Sequence, residues 1–352
     1  MTEKRNQNRD GADQPLDALL ELGFTTVDLT PFTCEVEKIG KNKFRIVSAH
    51  PALGTLVSIT MIHSSREGAE ETAGLVFEEI DRLAGILSRH DDSAALACLN
   101  REGSLKDIPT ELDAVVRRAL HYNMISGGSF DISVKPLVDL LENSTELEGR
   151  AAPAPEDLKA ALELTGLDNL KMTEHSIQFT RQGMGLTLDG IAKGYIVDRA
   201  ADVLKEQNIG NYLINAGGDI RTAGKREDRQ PWKVAVQDPS KSGEFPDIIR
   251  LSNRAVATSG GYEIYFDPRM EFHHIVDSAT GKSPRMNSSV SVVAPTAMTA
   301  DALATTLFLK PLEAGIALIE SLPGCEALIV DRTGTQVKTR GWRSNTAGVD
   351  AV

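Results

Sequence analysis

Apolar residues recur along this chain with two periods, and the period separates helical from extended segments. Between positions 67 and 87 they recur every three or four residues, which predicts an amphipathic helix. Positions 53–60 alternate apolar and polar residues after a glycine, as a half-buried strand does. A second helix is predicted over 111–125 because Gly127 and Gly128 follow it and can end it. Helices and strands are therefore both expected early in the chain.

The remainder of the chain continues to mix the two patterns. Further helices are predicted over 156–164, 191–207, 299–309 and 312–321, and strands over 175–179, 185–188, 212–214, 232–236, 255–258, 289–294 and 327–330. Because strands and helices do not alternate strictly, the pattern favours an α+β fold over a regular doubly wound sheet.

The pattern also suggests where the folded region begins and ends. Positions 1–43 are interpreted as an N-terminal extension whose first fifteen residues are polar and predicted to be disordered, followed by a weak helix signal at 16–22. The folded domain is predicted over 44–335, with a polar connection at 141–155 and a polar C-terminal tail at 336–352.

Composition narrows the class of protein. The chain has 352 residues, of which 41% are hydrophobic and 25% charged, as in a soluble globular protein. Its formal net charge of -12 argues against a nucleic-acid partner, because phosphate backbones require clustered Lys and Arg. The cysteines Cys34, Cys98 and Cys325 are scattered and show neither a disulfide framework nor metal-ligand spacing.

No targeting signal is evident in the sequence. No stretch approaches the roughly 20 apolar residues that a membrane-spanning helix needs. The polar start has no apolar core of a signal peptide, and Cys34 has no apolar run before it that would indicate a lipid anchor. As the sequence stands, a cytoplasmic location is expected.

A lysine in an unusual place suggests that an anion binds nearby. Asp189-Gly190-Ile191-Ala192-Lys193-Gly194-Tyr195 passes from a strand through a turn into a helix. A lysine in the first helical turn is electrostatically unfavourable, because that helix end already carries partial positive charge. A phosphate bound between the N–H groups and the ammonium would explain it. A solvated lysine explains this cluster equally well, and the spacing is not that of a Walker A loop.

Three other clusters combine glycine with polar residues. They are Ser126-Gly127-Gly128-Ser129-Phe130-Asp131, Asn215-Ala216-Gly217-Gly218-Asp219, and Thr258-Ser259-Gly260-Gly261 followed by His273-His274. The first two are also explained by ordinary turns, although paired glycines let a backbone approach a ligand closely. Adjacent histidines in an extended segment point to opposite faces, so only one of them can face a given site.

A carboxylate and a hydroxyl share one face of a late helix. Asp301 and Thr305 stand four residues apart, so both side chains project from the same side. Such oxygen ligands suit a hard cation such as Mg²⁺, provided that a carbonyl, waters or substrate phosphates complete the shell. An acidic residue favoured by the helix dipole is the simpler alternative for Asp301.

Taken together and in this order, the clusters resemble the FAD:protein FMN transferases, the ApbE-like flavin transferase family. The matching segments are Leu53-Gly54-Thr55, Gly128-Ser129-Phe130-Asp131-Ile132-Ser133, Asp189 to Tyr195, Asn215 to Asp219, Ala257-Thr258-Ser259-Gly260, His274-Ile275-Val276-Asp277 with Thr280-Gly281, and Asp301-Ala302-Leu303-Ala304-Thr305-Thr306. The resemblance extends over about 49–330. It implies a two-lobed α+β fold with mixed or antiparallel sheets, flanking helices and an FAD cleft between the lobes.

The resemblance also implies an activity and its residues. A member of this family splits FAD, passes FMN to a Thr or Ser hydroxyl of a target protein and releases AMP. It implies Mg²⁺ on Asp301, Thr305 and the Ala192 carbonyl, with His274 as the catalytic residue. The residues implied to bind FAD are Asp189, Lys193, Asn215, Gly217, Gly218, Asp219, Thr258, Ser259, Gly260 and His274. FAD hydrolysis to FMN and AMP, or flavin binding without turnover, are the alternatives.

The chain departs from the family pattern at two positions. Gly261 stands where the pattern S-G-D-Y has its acid, and Ser278-Ala279 precede Thr280 without the usual proline of D-P-x-T-G. Neither change removes an implied ligand. The resemblance further implies an acceptor protein, expected in a membrane redox system, and a periplasmic or membrane-associated location as the alternative to the cytoplasm.

Overall fold

A sheet of nine strands dominates the structure, a computed structural model that describes residues 34–146, 153–237, 239, 245–261 and 272–344. The strands are β1 (Cys34–Gly40), β2 (Lys43–Ala52), β3 (Thr55–His63), β4 (Ser104–Lys106), β5 (Leu170–Met172), β6 (Ser176–Phe179), β7 (Tyr212–Ala216), β8 (Asp219–Ala223), β9 (Trp232–Ala235), β10 (Ile248–Leu251), β11 (Ala255–Gly260), β12 (Asn287–Ala294), β13 (Glu326–Asp331) and β14 (Gln336–Lys338). The large sheet has the order β1-β2-β3-β7-β8-β11-β12-β13-β14. Every pair of neighbours described in it is antiparallel.

Helices pack against this sheet and against one another, and most of them bury side chains in the main apolar core. They are α1 (Arg66–Leu87), α2 (Ala95–Glu102), α3 (Thr110–Ser126), α4 (Lys135–Glu146), α5 (Pro155–Glu163), α6 (Ala192–Glu206), α7 (Ala297–Leu309) and α8 (Leu312–Ser321). Helix α1 buries one stripe that includes Ala73, Val76 and Ile80, as its apolar period predicts. Helix α7 is buried on nearly every side, because it lies between α6 and the sheet.

Two small sheets complete the fold. Strands β9 and β10 cover the opposite face of the large sheet, where Val234 and Ile249 join a second apolar cluster together with Trp342. Strands β4, β6 and β5 form a three-stranded sheet at the side. The α+β fold is therefore confirmed.

Several sequence-based element predictions are corrected by the structure. The segment 185–188 is irregular and not a strand. Helices α2 and α4 were not predicted, and α4 occupies the first part of the segment 141–155 that was interpreted as a connection. Strand β1 precedes the predicted start at Phe44, and β14 follows position 335. The weak helix signal at 16–22 lies outside the described residues.

Candidate functional site

A polar cleft of about 720 Å³, part of it open to solvent, lies where the ends of α6 and α7 meet the large sheet. Eight predicted site residues line it: Asp189, Lys193, Asp219, Thr258, Ser259, His274, Asp301 and Thr305. These side chains come from separate segments of the chain. The fold therefore brings together the chemistry that the separate sequence clusters could only suggest.

Asp301 is held at the base of the cleft by the start of helix α6. One of its carboxylate oxygens, Oδ2, accepts the backbone N–H of Gly194 at 3.0 Å. The side chain is only 5% exposed. Burial raises the pKa of the Asp301 carboxyl well above its ordinary value, and the neighbouring Asp219 carboxylate raises it further. Two acids buried side by side are unfavourable, and a bound cation or a cationic side chain stabilises them.

Helices α6 and α7 can approach this closely because of two residues on α6. A side chain on Gly194 would collide with α7, since a Cβ there would lie 2.5 Å from the carbonyl oxygen of Ala297. One turn further on, Asp198 accepts the N–H groups of Ala297 at 2.8 Å and Met298 at 2.9 Å. Each helix thus supplies a carboxylate that caps the first turn of the other.

Thr305 faces the turn before α6. Its hydroxyl lies 3.1 Å from Oγ of Ser259 on β11. A Cβ built on Gly190 would lie 2.9 Å from Oγ1 of Thr305, so only glycine fits there without a shift. The hydroxyl is therefore enclosed by strand β11 on one side and by the turn that leads into α6 on the other.

Lys193 places a positive charge beside the acids. Its Nζ lies 3.7 Å from Oδ2 of Asp219, which is 2% exposed at the start of β8. The predicted helix begins at Ala192, so Lys193 is indeed in its first turn. The cation is thus compensated by a buried acid as well as being suited to an anionic ligand.

The two histidines point in different directions, as predicted. His274 lines the cleft with Asp301 and Thr305, whereas His273 is buried at 1% exposure. The ring centroids lie 6.3 Å apart. His274 is therefore the histidine placed to meet a ligand in the cleft.

Five predicted site residues are not among those that line the cleft: Ala192, Asn215, Gly217, Gly218 and Gly260. Asn215 closes the turn between β7 and β8, because its Oδ1 accepts the N–H of Gly218 at 2.9 Å. Gly217 has a φ of 58° and packs so closely on Thr55 that a Cβ would lie 2.8 Å from its hydroxyl. These residues shape the turn that precedes Asp219.

Two contributions to the site had not been predicted. Asp131 and its neighbours Phe130 and Ile132 line the cleft, and burial raises the pKa of the Asp131 carboxyl. The glycine cluster that ends in Asp131 was the available signal, but a helix stop followed by a turn was the preferred explanation of it. Arg89, which is 9% exposed, holds Asp189 through a 3.0 Å contact and Glu142 through a 2.8 Å contact. The sequence around Arg89 contains no signal for that role.

The donor set fits a hard cation. No group of three or more His, Cys, Asp or Glu side chains among the described residues has metal-binding geometry. The Asp301 carboxylate, the Thr305 hydroxyl and the turn at Gly190 instead offer oxygen donors of mixed kind, which is the chemistry that Mg²⁺ accepts when substrate and water complete its shell.

Among the described residues, none of the helices combines the length and the apolar character that a membrane-spanning helix requires.

The fold and the cleft define an α+β enzyme whose site gathers acids, hydroxyls, a lysine and a histidine. The chain belongs to the ApbE family, whose family model matches residues 53–329.

Relatives and solved structures agree with this assignment. An FAD:protein FMN transferase of Vibrio cholerae is 33% identical over 281 residues, which is 77% of this chain and 83% of the relative. One of Treponema pallidum is 31% identical over 304 residues, covering 80% and 83%. The solved flavin transferase ApbE from Vibrio cholerae has a TM-score of 0.74 at 26% identity, covering 87% of this chain and 98% of its own. The ApbE protein from Thermotoga maritima has a TM-score of 0.75 at 29% identity, covering 84% and 97%.

Proposed function

We propose that this chain is an FAD:protein FMN transferase. It cleaves the pyrophosphate of FAD, joins the FMN phosphorus to a Thr or Ser hydroxyl of a target protein, and releases AMP. The observation that carries the proposal is the convergence of His274, Lys193, Asp301 and Thr305 on one cleft. Family membership and the activity for which the relatives are named supply the identity of the substrate.

Asp301, Thr305 and a backbone carbonyl at the start of α6 would hold Mg²⁺. When bound, the ion neutralises the pyrophosphate and makes its phosphorus easier to attack. The resemblance implies Ala192, the first residue of α6, as the source of that carbonyl, and the close approach of Gly190 to Thr305 brings this end of the helix next to the Thr305 hydroxyl. The bond from Gly194 to Asp301 fixes Oδ2 and orients the other carboxylate oxygen.

Lys193 would bind the anionic part of FAD. Its ammonium stands at the N-terminal end of α6, where N–H groups and the helix dipole also favour negative charge. As AMP departs, negative charge builds up on its phosphate, and a fixed positive group nearby stabilises that change. Asp219 orients the lysine through the 3.7 Å contact.

His274 would accept the proton of the incoming hydroxyl. The new bond forms between that oxygen and the FMN phosphorus, the bridging P–O bond breaks, and the proton passes to the imidazole. Histidine is the most common general base in enzymes, and this role typically contributes ~10²–10⁴-fold in rate. The acceptor is expected in a membrane redox system, as the resemblance implies.

Two measurements test the proposal. Incubation with FAD and Mg²⁺ followed by chromatography reports AMP release, which a flavin-binding protein without turnover would not show. Addition of an extract from the host lacking this gene, followed by mass spectrometry, reports covalent FMN on a Thr or Ser of the acceptor. AMP release with no covalent flavin would instead identify an FAD pyrophosphatase.

A further inference from the structure

His273 is buried beside the proposed base, and none of the steps above uses it. Its side chain is 1% exposed, although histidine is a polar residue that usually reaches solvent. Its neighbour His274 lines the cleft. A buried polar ring next to a reactive residue needs an explanation in terms of its contacts.

The hydrogen bonds of the His273 ring define its protonation state. The backbone N–H of Ile275 donates to Nδ1 at 3.3 Å, so Nδ1 carries no proton. The other ring nitrogen, Nε2, lies 3.0 Å from the carbonyl oxygen of Pro284, which can only accept, so Nε2 carries the proton. The ring is therefore neutral. In agreement, burial lowers the pKa of His273 to about 4.

The same residue fixes the backbone on both sides of His274. On the N-terminal side, the N–H of His273 donates to Oγ of Ser283 at 2.9 Å, and that hydroxyl donates back to the His273 carbonyl at 2.8 Å. On the C-terminal side, the Ile275 N–H is held by the His273 ring. The main chain at His274 is thus tied down before and after the residue.

The His273 ring also contacts the helix that carries the proposed cation ligands. It packs edge-on against Phe308 with ring centroids 5.5 Å apart and planes at 86°. Phe308 lies on α7 together with Asp301 and Thr305. The ring also faces Gly261, where a Cβ would lie 3.1 Å from both Cδ2 and Nε2 of His273 and 3.4 Å from Cζ of Phe308. The absence of a side chain at Gly261 leaves the space that the ring fills.

We propose that His273 is a positioning residue, whose neutral ring, protonated at Nε2, holds His274 at a fixed place relative to Asp301 and Thr305. The inference rests on the proposed function, in which His274 takes up the proton. It assigns no contact with FAD to His273. It also gives a physical reason for glycine at position 261, because any larger residue would press on the ring.

Three variants and one control test the inference. His273→Leu fills the space but removes both ring nitrogens. His273→Gln keeps an N–H group that can reach Pro284. Gly261→Ala leaves His273 in place and would press on its ring, because the new Cβ would lie 3.1 Å from Cδ2 and Nε2. Thr339→Val serves as the control, because Thr339 is also buried and its hydroxyl oxygen accepts the Ala327 N–H at 2.9 Å, away from the residues that line the cleft.

The kinetic expectation separates kcat from KM. His273→Leu is expected to lower the kcat of AMP release by ~10–100-fold, as the loss of a supporting residue does. KM for FAD should stay within about 3-fold, because uniform binding is untouched. Gly261→Ala should show a smaller loss of kcat, and His273→Gln should recover part of it. A normal kcat in His273→Leu, or a loss matched by an equally destabilised Thr339→Val, overturns the inference.

A measurement without turnover separates this inference from the proposed function. In protein with isotope-labelled histidine nitrogens, His273 should show a proton on Nε2, and both Gly261→Ala and His273→Leu should shift the ring signals of His274. If the native protein releases no AMP, the proposed function fails and these spectra alone decide the inference. A proton on Nδ1 of His273, or His274 signals that neither variant moves, contradicts it.

Discussion

The Asp301 carboxylate accepts the backbone N–H of Gly194 at 3.0 Å, although the two residues are 107 positions apart in the chain. Gly194 lies in the first turn of α6, and Asp301 lies inside the buried helix α7. The bond joins the anion-binding end of one helix to the acid of the other. Changes on either side should therefore affect both the cation site and the packing of the two helices.

Replacing Asp301 by asparagine separates these two roles. The amide oxygen of the new side chain can still accept the Gly194 N–H, so Asp301→Asn should retain the fold. The charge that a divalent cation requires is lost, and we expect Mg²⁺-dependent AMP release to fall by about 100-fold or more. Asp301→Ala removes the hydrogen bond as well and should also lower the free energy of unfolding.

The matched control is Asp202→Asn, on the outer part of α6. Asp202 is half exposed and pairs with Arg199 at 2.8 Å, outside the residues that line the cleft. Its loss should leave the Mg²⁺ titration as in the native protein. A Mg²⁺ titration of Asp301→Asn that follows the native curve would remove Asp301 from the cation site.

Adding one methyl group at Gly194 should force α6 and α7 apart. The new Cβ would lie 2.5 Å from the Ala297 carbonyl oxygen and 2.7 Å from Cα of Met298, and backbone atoms cannot rotate away. We expect Gly194→Ala to lower the free energy of unfolding by ~1–3 kcal/mol, as overpacking does. Urea denaturation measures this change, and AMP release should fall with it because Asp301 and Lys193 move.

Gly74→Ala is the corresponding control in helix α1. Gly74 is exposed, and nothing lies within 4 Å of a Cβ built there. The substitution should raise the free energy of unfolding by about 0.5–1 kcal/mol, since alanine restricts the unfolded chain more than glycine does. Equal effects of the two substitutions would show that the contact between α6 and α7 is not as tight as the structure has it.

His274→Ala should abolish transfer while largely keeping FAD bound. The variant removes the proton acceptor, and it leaves the acids, Lys193 and the backbone turns that face the cleft. Flavin fluorescence on titration with FAD measures binding, and covalent flavin mass measures transfer. A variant that transfers FMN at the native rate excludes His274 from the mechanism.

The sequence predicted the fold best where local signals are strong. Helices α1 and α3 were predicted to within one or two residues, because an amphipathic period runs along α1 and paired glycines end α3. The strand prediction at 185–188 was wrong, because the backbone of this segment bonds to a side chain instead of to a neighbouring strand. The Leu186 N–H and carbonyl bond to Asn100 at 2.7 and 2.9 Å. The periodicity of apolar residues cannot show whether a backbone segment bonds to a neighbouring strand or to a side chain.

In the candidate site, too, some residues could be predicted from the sequence and others could not. The order of the sequence motifs predicted the site residues Lys193, His274, Asp301 and Thr305. The structure places all four at one cleft. Their supporting residues escaped prediction, because each acts across a long stretch of chain. Asp198 caps α7 from 99 positions away, and Arg89 reaches Asp189 across 100 positions. Such contacts depend on how the helices pack and leave no pattern in the local sequence.

Acid should destabilise the fold partly through His273. In the folded chain its pKa is about 4, lowered first by burial and also by the nearby His274 and Arg332. In the unfolded chain the ordinary pKa of about 6.5 applies. Between these values the unfolded chain binds one more proton, so the stability present above pH ~6.5 is lost as the pH falls towards 4. The full effect is on the order of 3 kcal/mol. Urea denaturation at several pH values should show a steeper loss in the native protein than in His273→Leu. Parallel curves for the two proteins would mean that His273 is not held neutral in the fold.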